Sequence, residues 1–316
     1  MEAGISIGEL GEFGLIAAIA ARMPAAPGAI VGIGDDAAVL RVPDPRIVAT
    51  TDLLVEGRHF RTEWSGPADI GGKAAARSLA DVAAMGAVPL ALLVGLAAPS
   101  DLPVAWAQDF ASGLADEAAR TGAHVIGGDV SQASPIMAAV TAIGTMADGE
   151  PVTRSGARSS DVVAVAGRLG LAAAGLALLE AGRTEPSGAV AAHRRPRPPY
   201  DAGPEAAALG ATSMIDVSDG LLADLGHIAA ASGVLIDVET ARLELAAPLL
   251  AAARTLRHEP LDWVLSGGED HALAATFPRD ARLPSHWAVI GRVHEGQGMR
   301  VDGANYRGQF GWQHFR

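Results

Sequence analysis

The sequence predicts a two-domain α/β protein, and three observations lead to this prediction. The chain has 316 residues, enough for two domains of ordinary size. Apolar runs of strand length alternate with Ala- and Leu-rich stretches of helical period. A polar, turn-forming stretch at 147–156 interrupts this alternation near the middle. We therefore expect an N-terminal domain of residues 1–148 and a C-terminal domain of residues 149–316.

The first half alternates short strands with longer helices. The β-branched run IVATT predicts a strand that stops at Asp52, and a second strand leads through two glycines to Asp129. One helix carries Trp106, Phe110 and Leu114 at intervals of four residues, which form an apolar stripe. The predicted strands are 47–51, 124–126 and 136–145, and the predicted helices are 73–86 and 103–122.

The second half continues the alternation and becomes richer in strands towards its end. A proline- and arginine-rich stretch, 184–204, predicts a long loop. From Trp287 onward, short apolar runs and glycine turns predict β-structure. The remaining predicted strands are 161–166, 214–217 and 263–265, and the predicted helices are 169–180 and 221–231.

Composition and charge exclude several classes of function. The net charge of −12 argues against a nucleic-acid partner, which would require a basic surface. The absence of cysteine rules out disulfides, thiolate metal sites and a thiol nucleophile. The N-terminal residues include acids and lack a basic region before an apolar stretch, so no signal peptide is expected. Asp81, Gly86 and Pro89 interrupt the longest apolar stretch, so we expect a cytoplasmic protein without a membrane partner.

The sequence lacks the standard phosphate-binding loops. Beside Gly72 and Lys73, Pro67 occupies the place of the first Walker A glycine, and Ala74 that of its hydroxyl residue. Acidic clusters stand beside glycine or hydroxyl residues instead: Asp35 and Asp36, Asp52, Asp129, Asp216 and Asp219, and Glu269 and Asp270. Each alone is typical of a turn or helix cap, but five together favour Mg²⁺, which prefers oxygen ligands and keeps phosphates in its shell.

Simpler structural interpretations remain open for individual residues. Lys73, Arg77 and Asp81 recur at intervals of four, so Asp81 could belong to a row of surface salt bridges. Asp219 could cap the helix that starts at Leu221, and His59 could be an ordinary surface histidine.

Nine motifs, in order and over nearly the whole chain, resemble those of the thiamine-monophosphate kinases. They are GEFGLI (11–16), GIGDDAAVL (32–40), TTDLLVEGRHF (50–60), KAAARSLADVAAMGAVP (73–89), IGGDVS (126–131), TRSGA (153–157), IDVSDGLLADLGHI (215–228), LSGGEDHAL (265–273) and IGRV (290–293). The resemblance implies a two-domain α/β fold like that of aminoimidazole ribonucleotide synthetase, with a β-rich N-terminal domain that forms a homodimer and a C-terminal α/β domain.

The resemblance also implies an activity and a set of site residues. The activity is ATP-dependent, Mg²⁺-assisted phosphorylation of thiamine monophosphate by direct in-line transfer. Positions matching the family's Mg²⁺ ligands are Asp36, Thr50, Thr51, Asp52, Asp81, Asp129, Asp216 and Asp219. Positions matching ATP contacts are Gly128, Asp129, Arg154 and Ser218, and those matching substrate contacts are His59, Glu269 and Trp312. We expect Asp216, Asp219 and Arg154 to be the catalytic group.

The chain departs from the family pattern at four positions. His271 stands where the family usually has Tyr or Phe, Ser78 where Asn is common, Ala80 where Ser is common, and Tyr200 where an Arg is expected. Two alternative functions remain at this stage: another ATP-using enzyme of the same superfamily, or a non-catalytic protein that binds nucleotide or metal. The lack of cysteine disfavours superfamily members that use a catalytic thiol.

Overall fold

The computed structural model describes residues 5–33, 37–146 and 149–312. The chain divides into two compact units: Met1–Val82 with Val88–Ala147, and Ala83–Ala87 with Asp148–Arg316. The short segment Ala83–Ala87 belongs to the second unit because it packs there. For example, the N–H of Val152 donates to the carbonyl of Met85 at 3.1 Å.

The first unit contains a four-stranded sheet covered by two long helices. Its elements are α1 (Ile7–Leu10), α2 (Glu12–Ala20), β1 (Ala29–Val31), β2 (Val39–Leu40), β3 (Ile47–Val55), α3 (Pro67–Ala84), β4 (Val88–Ala98), α4 (Val104–Ala119), β5 (His124–Gln132) and β6 (Met137–Thr145). The sheet order is β3-β6-β4-β5, and β1 and β2 form a separate ribbon. Strands β4 and β5 are parallel, with α4 as their crossover, and the other pairs are antiparallel.

Two strands of the first unit are longer than the sequence predicts. Strand β3 pairs with β6 from Ile47 to Val55, and β5 runs to Gln132. Asp52 and Asp129 therefore lie within strands rather than after them. The reason is that pairing with a neighbouring strand continues through residues whose local pattern suggests a turn.

Close contact between α3 and α4 fixes α3 in the first unit. A Cβ atom on Gly71 would lie 2.0 Å from the carbonyl oxygen of Phe110, and one on Gly113 would lie 2.0 Å from that of Ala68. Only glycine fits at these two positions. The apolar stripe predicted on α4 is confirmed for Phe110 and Leu114, which are buried, and the rings of Trp106 and Phe110 stack at 5.5 Å.

The second unit contains a seven-stranded sheet with helices. Its strands are β7 (Val162–Ala166), β8 (Ser213–Val217), β9 (Leu235–Val238), β10 (Ala272–Phe277), β11 (Trp287–His294), β12 (Gly298–Val301) and β13 (Ala304–Asn305). Its helices are α5 (Leu171–Glu180), α6 (Ser187–Arg194), α7 (Ala202–Ala208), α8 (Leu221–Ser232), α9 (Ala247–Leu256) and α10 (Pro260–Ser266). The sheet order is β13-β12-β9-β11-β7-β10-β8.

Two sequence predictions in the second unit are wrong. The stretch 184–204 is not one long loop, because it contains α6 and the start of α7, and the small residues Ala189 and Ala192 bury one side of α6. The run 263–265 is not a strand but lies in α10, where Pro260 occupies the first turn and the Glu259 side chain accepts from the N–H of Leu261. A run of three apolar residues is too short to distinguish a buried strand from a buried helix.

Both units combine helices with sheets, which confirms the α/β class. None of the helices in the described ranges has the length and apolar character that a membrane span requires.

Candidate active site

Strand β3 and helix α3 bring three of the predicted metal residues together in the first unit. Thr50 Oγ1 donates to Asp81 Oδ2 at 2.8 Å. Asp52, two residues along the strand and therefore on the same face, accepts at Oδ2 from Ser78 Oγ at 2.9 Å. Asp52 Oδ1 also lies 3.9 Å from an Nη atom of Arg77. The result is an oxygen-rich group, Thr50, Asp52 and Asp81, between strand and helix.

Thr51 points away from this group. Its hydroxyl accepts from Thr141 Oγ1 at 3.1 Å on the exposed face of the sheet. A metal ion bound by Asp52 could therefore contact Thr51 only through the Thr51 backbone. Asp36, another metal residue expected in this half, lies outside the described residues.

The surface salt-bridge row proposed for Asp81 is wrong. Lys73 is 1% exposed, and the Arg77 side chain is 11% exposed. This row of helix α3 therefore faces the sheet, since Asp81 and Arg77 approach Thr50 and Asp52 of strand β3. The pattern of charges at intervals of four predicts a shared helix face, but it does not tell whether that face meets solvent.

His59 is held in place at the turn after β3. Its Nδ1 accepts from the N–H of Val55 at 3.0 Å, and its carbonyl accepts from Lys73 Nζ at 2.9 Å. Since Nδ1 acts as an acceptor, the neutral ring carries its hydrogen on Nε2. His59 is half-buried. These contacts argue against a mobile surface histidine.

Gly128 and Asp129 lie on the opposite edge strand, β5. Cross-strand partners run from Asp52 through Val140 and Val94 to Gly128, a distance of three strand spacings, about 14 Å. A Cβ atom on Gly128 would lie 2.0 Å from the carbonyl oxygen of Val94, so only glycine fits. The first unit therefore has two separate groups of expected ligand contacts.

A second acidic group follows strand β8 in the other unit. Asp216 is the penultimate residue of the strand, and Ser218 and Asp219 form the turn before α8. Asp224 Oδ2 accepts from the N–H groups of Asp219 and Gly220 at 3.0 and 3.1 Å. The proposed capping role of Asp219 is wrong, because Gly220 is the N-cap and the Asp224 carboxylate binds these N–H groups.

The electrostatics of this turn favour a cation. Burial, together with the charges of Asp216 and Asp219, raises the pKa of Asp224 to about 7, although the N–H groups of Gly220 and Asp219 oppose the shift. The three carboxylates thus repel one another. Their repulsion would be relieved by a bound divalent ion, so the donor set fits one.

The segment 267–271 is hydrogen-bonded to this turn. The N–H of Glu269 donates to the carbonyl of Ser218 at 2.8 Å, and the N–H of His271 donates to that of Val217 at 2.9 Å. Glu269 and His271 both have positive φ, 69° and 52°, which is uncommon for residues other than glycine. The predicted substrate residue Glu269 is therefore next to the turn that carries Asp219.

Trp312 reaches the same turn from the end of the described chain. Its N–H donates to the carbonyl of Asp219 at 3.0 Å, and the carbonyl of Phe310 accepts from the N–H of Ala223 at 3.1 Å. The Trp312 side chain is 54% exposed. It lies outside the strands, which argues against a role in packing a terminal strand.

Arg154 is less closely connected to the acidic turn. It is exposed, and its carbonyl accepts from Ser232 Oγ at the end of α8 at 3.2 Å. Within the described ranges its guanidinium makes no ion pair. No group of three acidic or histidine side chains among residues 5–33, 37–146 and 149–312 is arranged as a ready metal cage. Mg²⁺ often uses only one or two carboxylates together with water and phosphate, so this arrangement remains compatible with it.

Sequence reasoning missed several residues that support the site. In the sequence Ser78 stands out only as a departure from the family pattern, yet its hydroxyl donates to Asp52. Lys73 and Asp224 were not recognised as supports for His59 and for the Asp219 turn. The sequence does contain a signal for Asp224: an acidic residue in the first turn of a helix can accept from the N–H groups at the start of that helix.

Comparisons with known proteins identify the family of the chain. Residues 34–146 match the family model of the AIR synthase related protein N-terminal domain, and residues 158–303 match the C-terminal one. A thiamine-monophosphate kinase of Mycobacterium tuberculosis is 47% identical over 97% of this chain and 92% of its own length. The chain belongs to the thiamine-monophosphate kinase family.

Solved structures agree with this assignment. The thiamine-monophosphate kinase of Stenotrophomonas maltophilia has a TM-score of 0.81 at 36% identity, over 92% of this chain and 96% of its own. A structure described as AaThiL complexed with AMPPCP and TMP has a TM-score of 0.81 at 34% identity, over 98% and 99%. Aquifex aeolicus also has a curated thiamine-monophosphate kinase, 36% identical to this chain. These similarities confirm the fold and the family that the sequence motifs predict.

Proposed function

We propose that this chain transfers the γ-phosphoryl group of ATP to the phosphate of thiamine monophosphate, forming thiamine diphosphate and ADP. The observation that carries the proposal is the near full-length similarity to a structure described as holding AMPPCP and TMP. Both acidic groups described above occur where the family resemblance expects ligand contacts.

The reaction needs charge neutralisation more than it needs a base. The acceptor is a phosphate monoester with a second pKa of about 6, so at neutral pH its oxygen is mostly a dianionic nucleophile. In the proposed in-line step that oxygen forms a bond to the γ-phosphorus, and the bond from this phosphorus to the bridging oxygen of ADP breaks. The main obstacle is repulsion between the two anions, which the site has to offset.

We propose that Mg²⁺ ions bind at Asp36, Thr50, Thr51, Asp52, Asp81, Asp129, Asp216 and Asp219. Bound Mg²⁺ would supply charge neutralisation for the phosphate oxygens. The support is the chemistry of the donors: hydroxyl and carboxylate oxygens meet at Thr50, Asp52 and Asp81, and carboxylate repulsion is concentrated near Asp219. Asp52 and Asp81 accept from Ser78 and Thr50, which would hold their carboxylates oriented.

The protein groups proposed to contact ATP are backbone and arginine rather than lysine. Gly128 has no side chain that could stand between a phosphate and the backbone of strand β5. Ser218 offers a hydroxyl beside Asp219, and the exposed Arg154 offers a cation. Asp216, Asp219 and Arg154 form the proposed catalytic group. Lys73, which is buried below His59, has no proposed contact with ATP.

Three residues are proposed to recognise thiamine monophosphate. The His59 ring is held in place by the N–H of Val55, and its position matches a substrate contact of the family. Glu269 supplies a negative charge, and Trp312 supplies an exposed aromatic face, and both suit a cationic thiazolium ring.

We also propose a homodimer formed through the N-terminal unit. Ile47 and Leu53 are 58% and 60% exposed on strand β3, and Ile30 is 63% exposed on β1. Ile47 and Leu53 lie on the same face of β3, and a contiguous apolar surface of this kind commonly marks an interface. The proposal further places the protein in the cytoplasm, where ATP is available, with its two substrates as partners. Light scattering on the purified chain would give the mass of the assembly.

The direct test is an assay with purified protein, ATP, MgCl₂ and thiamine monophosphate. Chromatography should detect thiamine diphosphate and ADP in equal amounts. Thiamine without its phosphate serves as the control acceptor and should give no diphosphate. Binding of ATP with no transfer to thiamine monophosphate would support the non-catalytic alternative and contradict the proposal.

A further inference from the structure

Asp216 and His271 form a buried pair at the start of the acidic turn. Asp216 Oδ2 lies 3.0 Å from His271 Nδ1, and the two side chains are 6% and 2% exposed. A carboxylate removed from water is costly unless it is hydrogen-bonded. An ionised carboxylate only accepts hydrogen bonds, so Nδ1 of His271 carries the hydrogen that joins them.

The main chain fixes the position of the His271 ring. His271 has a φ of 52°, and its N–H donates to the carbonyl of Val217 at 2.9 Å. Immediately after it, β10 pairs with β8, with Ala272 opposite Val217 and Leu273 opposite Asp216. The imidazole is therefore held against Asp216 by the sheet itself, and a change of rotamer at Asp216 would break the hydrogen bond.

The two oxygens of Asp216 have different surroundings. Oδ2 is occupied by His271, while Oδ1 makes no hydrogen bond within the ranges that the structure describes. The charge of Asp216 also acts on a neighbouring carboxylate: together with burial, it raises the pKa of Asp224. One oxygen is thus anchored, and the other is left to a ligand.

We propose that His271 is a positioning residue that holds Asp216 through Nδ1–H, so that the other carboxylate oxygen is presented to a divalent cation. The inference rests on the proposed metal site at Asp216. It assigns a role to a residue at which the chain departs from the family pattern, where Tyr or Phe is usual. A phenylalanine at this position would have no hydrogen to donate. Partners of this kind commonly change metal affinity by roughly 10- to 100-fold.

Two variants of matched design test this role. His271→Asn places an amide N–H close to the position of Nδ1, and asparagine tolerates positive φ. His271→Phe keeps a ring of similar size but removes the donor. Binding of Mn²⁺ is measured by electron paramagnetic resonance in the presence of AMPPCP, which does not require turnover. Melting curves show whether each variant is folded.

We expect His271→Phe to bind Mn²⁺ roughly tenfold or more weakly than the wild-type chain, and His271→Asn to remain within about threefold of it. Should His271→Phe fail to fold, His271→Gln, whose amide lies one methylene further out, replaces it with the same expected loss. Wild-type affinity in a folded variant without the donor would overturn the inference. Equal weakening in His271→Asn, or no Mn²⁺ binding by the wild-type chain, would overturn it as well.

Failure of the proposed function would look different. It would appear as no thiamine diphosphate from a wild-type chain that still binds Mn²⁺ with AMPPCP. In that case the comparison of His271→Phe with His271→Asn still decides the positioning role, because the measurement reports metal binding alone.

Discussion

Thr50 and Asp81 are joined by a hydrogen bond of 2.8 Å that connects strand β3 to helix α3. The two residues are 31 positions apart in the sequence. The bond orients the Asp81 carboxylate towards the strand that carries Asp52, which is the arrangement expected of a ligand group rather than of a surface ion pair.

Replacing Asp81 by Asn separates charge from structure at this position. The Asn side-chain oxygen still accepts from Thr50, so we expect a loss of stability of about 1 kcal/mol or less. Turnover should fall by at least two orders of magnitude, because a neutral amide is a poor Mg²⁺ ligand. Steady-state kinetics and a melting curve check both values. Asp116→Asn, an exposed change on α4, is the control, and wild-type turnover in Asp81→Asn would remove Asp81 from the metal site.

Removal of metal should abolish activity reversibly. The proposed phosphate contacts consist mainly of carboxylate-bound ions, so a chain dialysed against EDTA should form no thiamine diphosphate. Activity should return with Mg²⁺ or Mn²⁺, which share a preference for oxygen ligands. A melting curve of the dialysed protein shows that the fold persists. Full activity in metal-free buffer would contradict the proposed role of both acidic groups.

Lys73 should matter for thiamine monophosphate more than for ATP. Lys73→Met keeps an unbranched apolar side chain but removes the N–H that reaches the His59 carbonyl. We expect a loss of stability of about 1 to 3 kcal/mol, because a carbonyl in a partly buried position loses its donor. KM for thiamine monophosphate should rise severalfold while KM for ATP stays constant. An equal rise in both KM values would contradict the assignment, whereas loss of folded enzyme would lower the apparent kcat and leave both KM values unchanged.

Trp312 should contribute to substrate recognition and little to stability. Its side chain is half-exposed, and its backbone N–H to Asp219 is kept in any variant. Trp312→Ala should raise KM for thiamine monophosphate by about 2- to 30-fold, since an aromatic face beside a cation contributes about 0.5 to 2 kcal/mol. Trp312→Phe, which retains a ring, should lose much less. Kinetics with both substrates and a melting curve decide the matter, and an unchanged KM for thiamine monophosphate in Trp312→Ala would contradict the assignment.

The sequence alone determined the class of fold, the family and the residue types of the site. Apolar runs and helical periods depend on local preferences, so they located strand β7 and helices α5 and α8 to within about two residues. The acidic motifs beside glycine indicated oxygen ligands, because these side chains are the ones that hard cations prefer. Residue order along the chain was sufficient for these conclusions.

Only the tertiary structure decided how those residues support one another. Three hydrogen bonds show this. Lys73 bonds His59, 14 positions away; Ser78 bonds Asp52, 26 positions away; and His271 bonds Asp216, 55 positions away. Such contacts depend on which strands pair and which helix face is covered, and neither leaves a local signal. For the same reason β3 and β5 continue through Asp52 and Asp129, where the local pattern predicted an end.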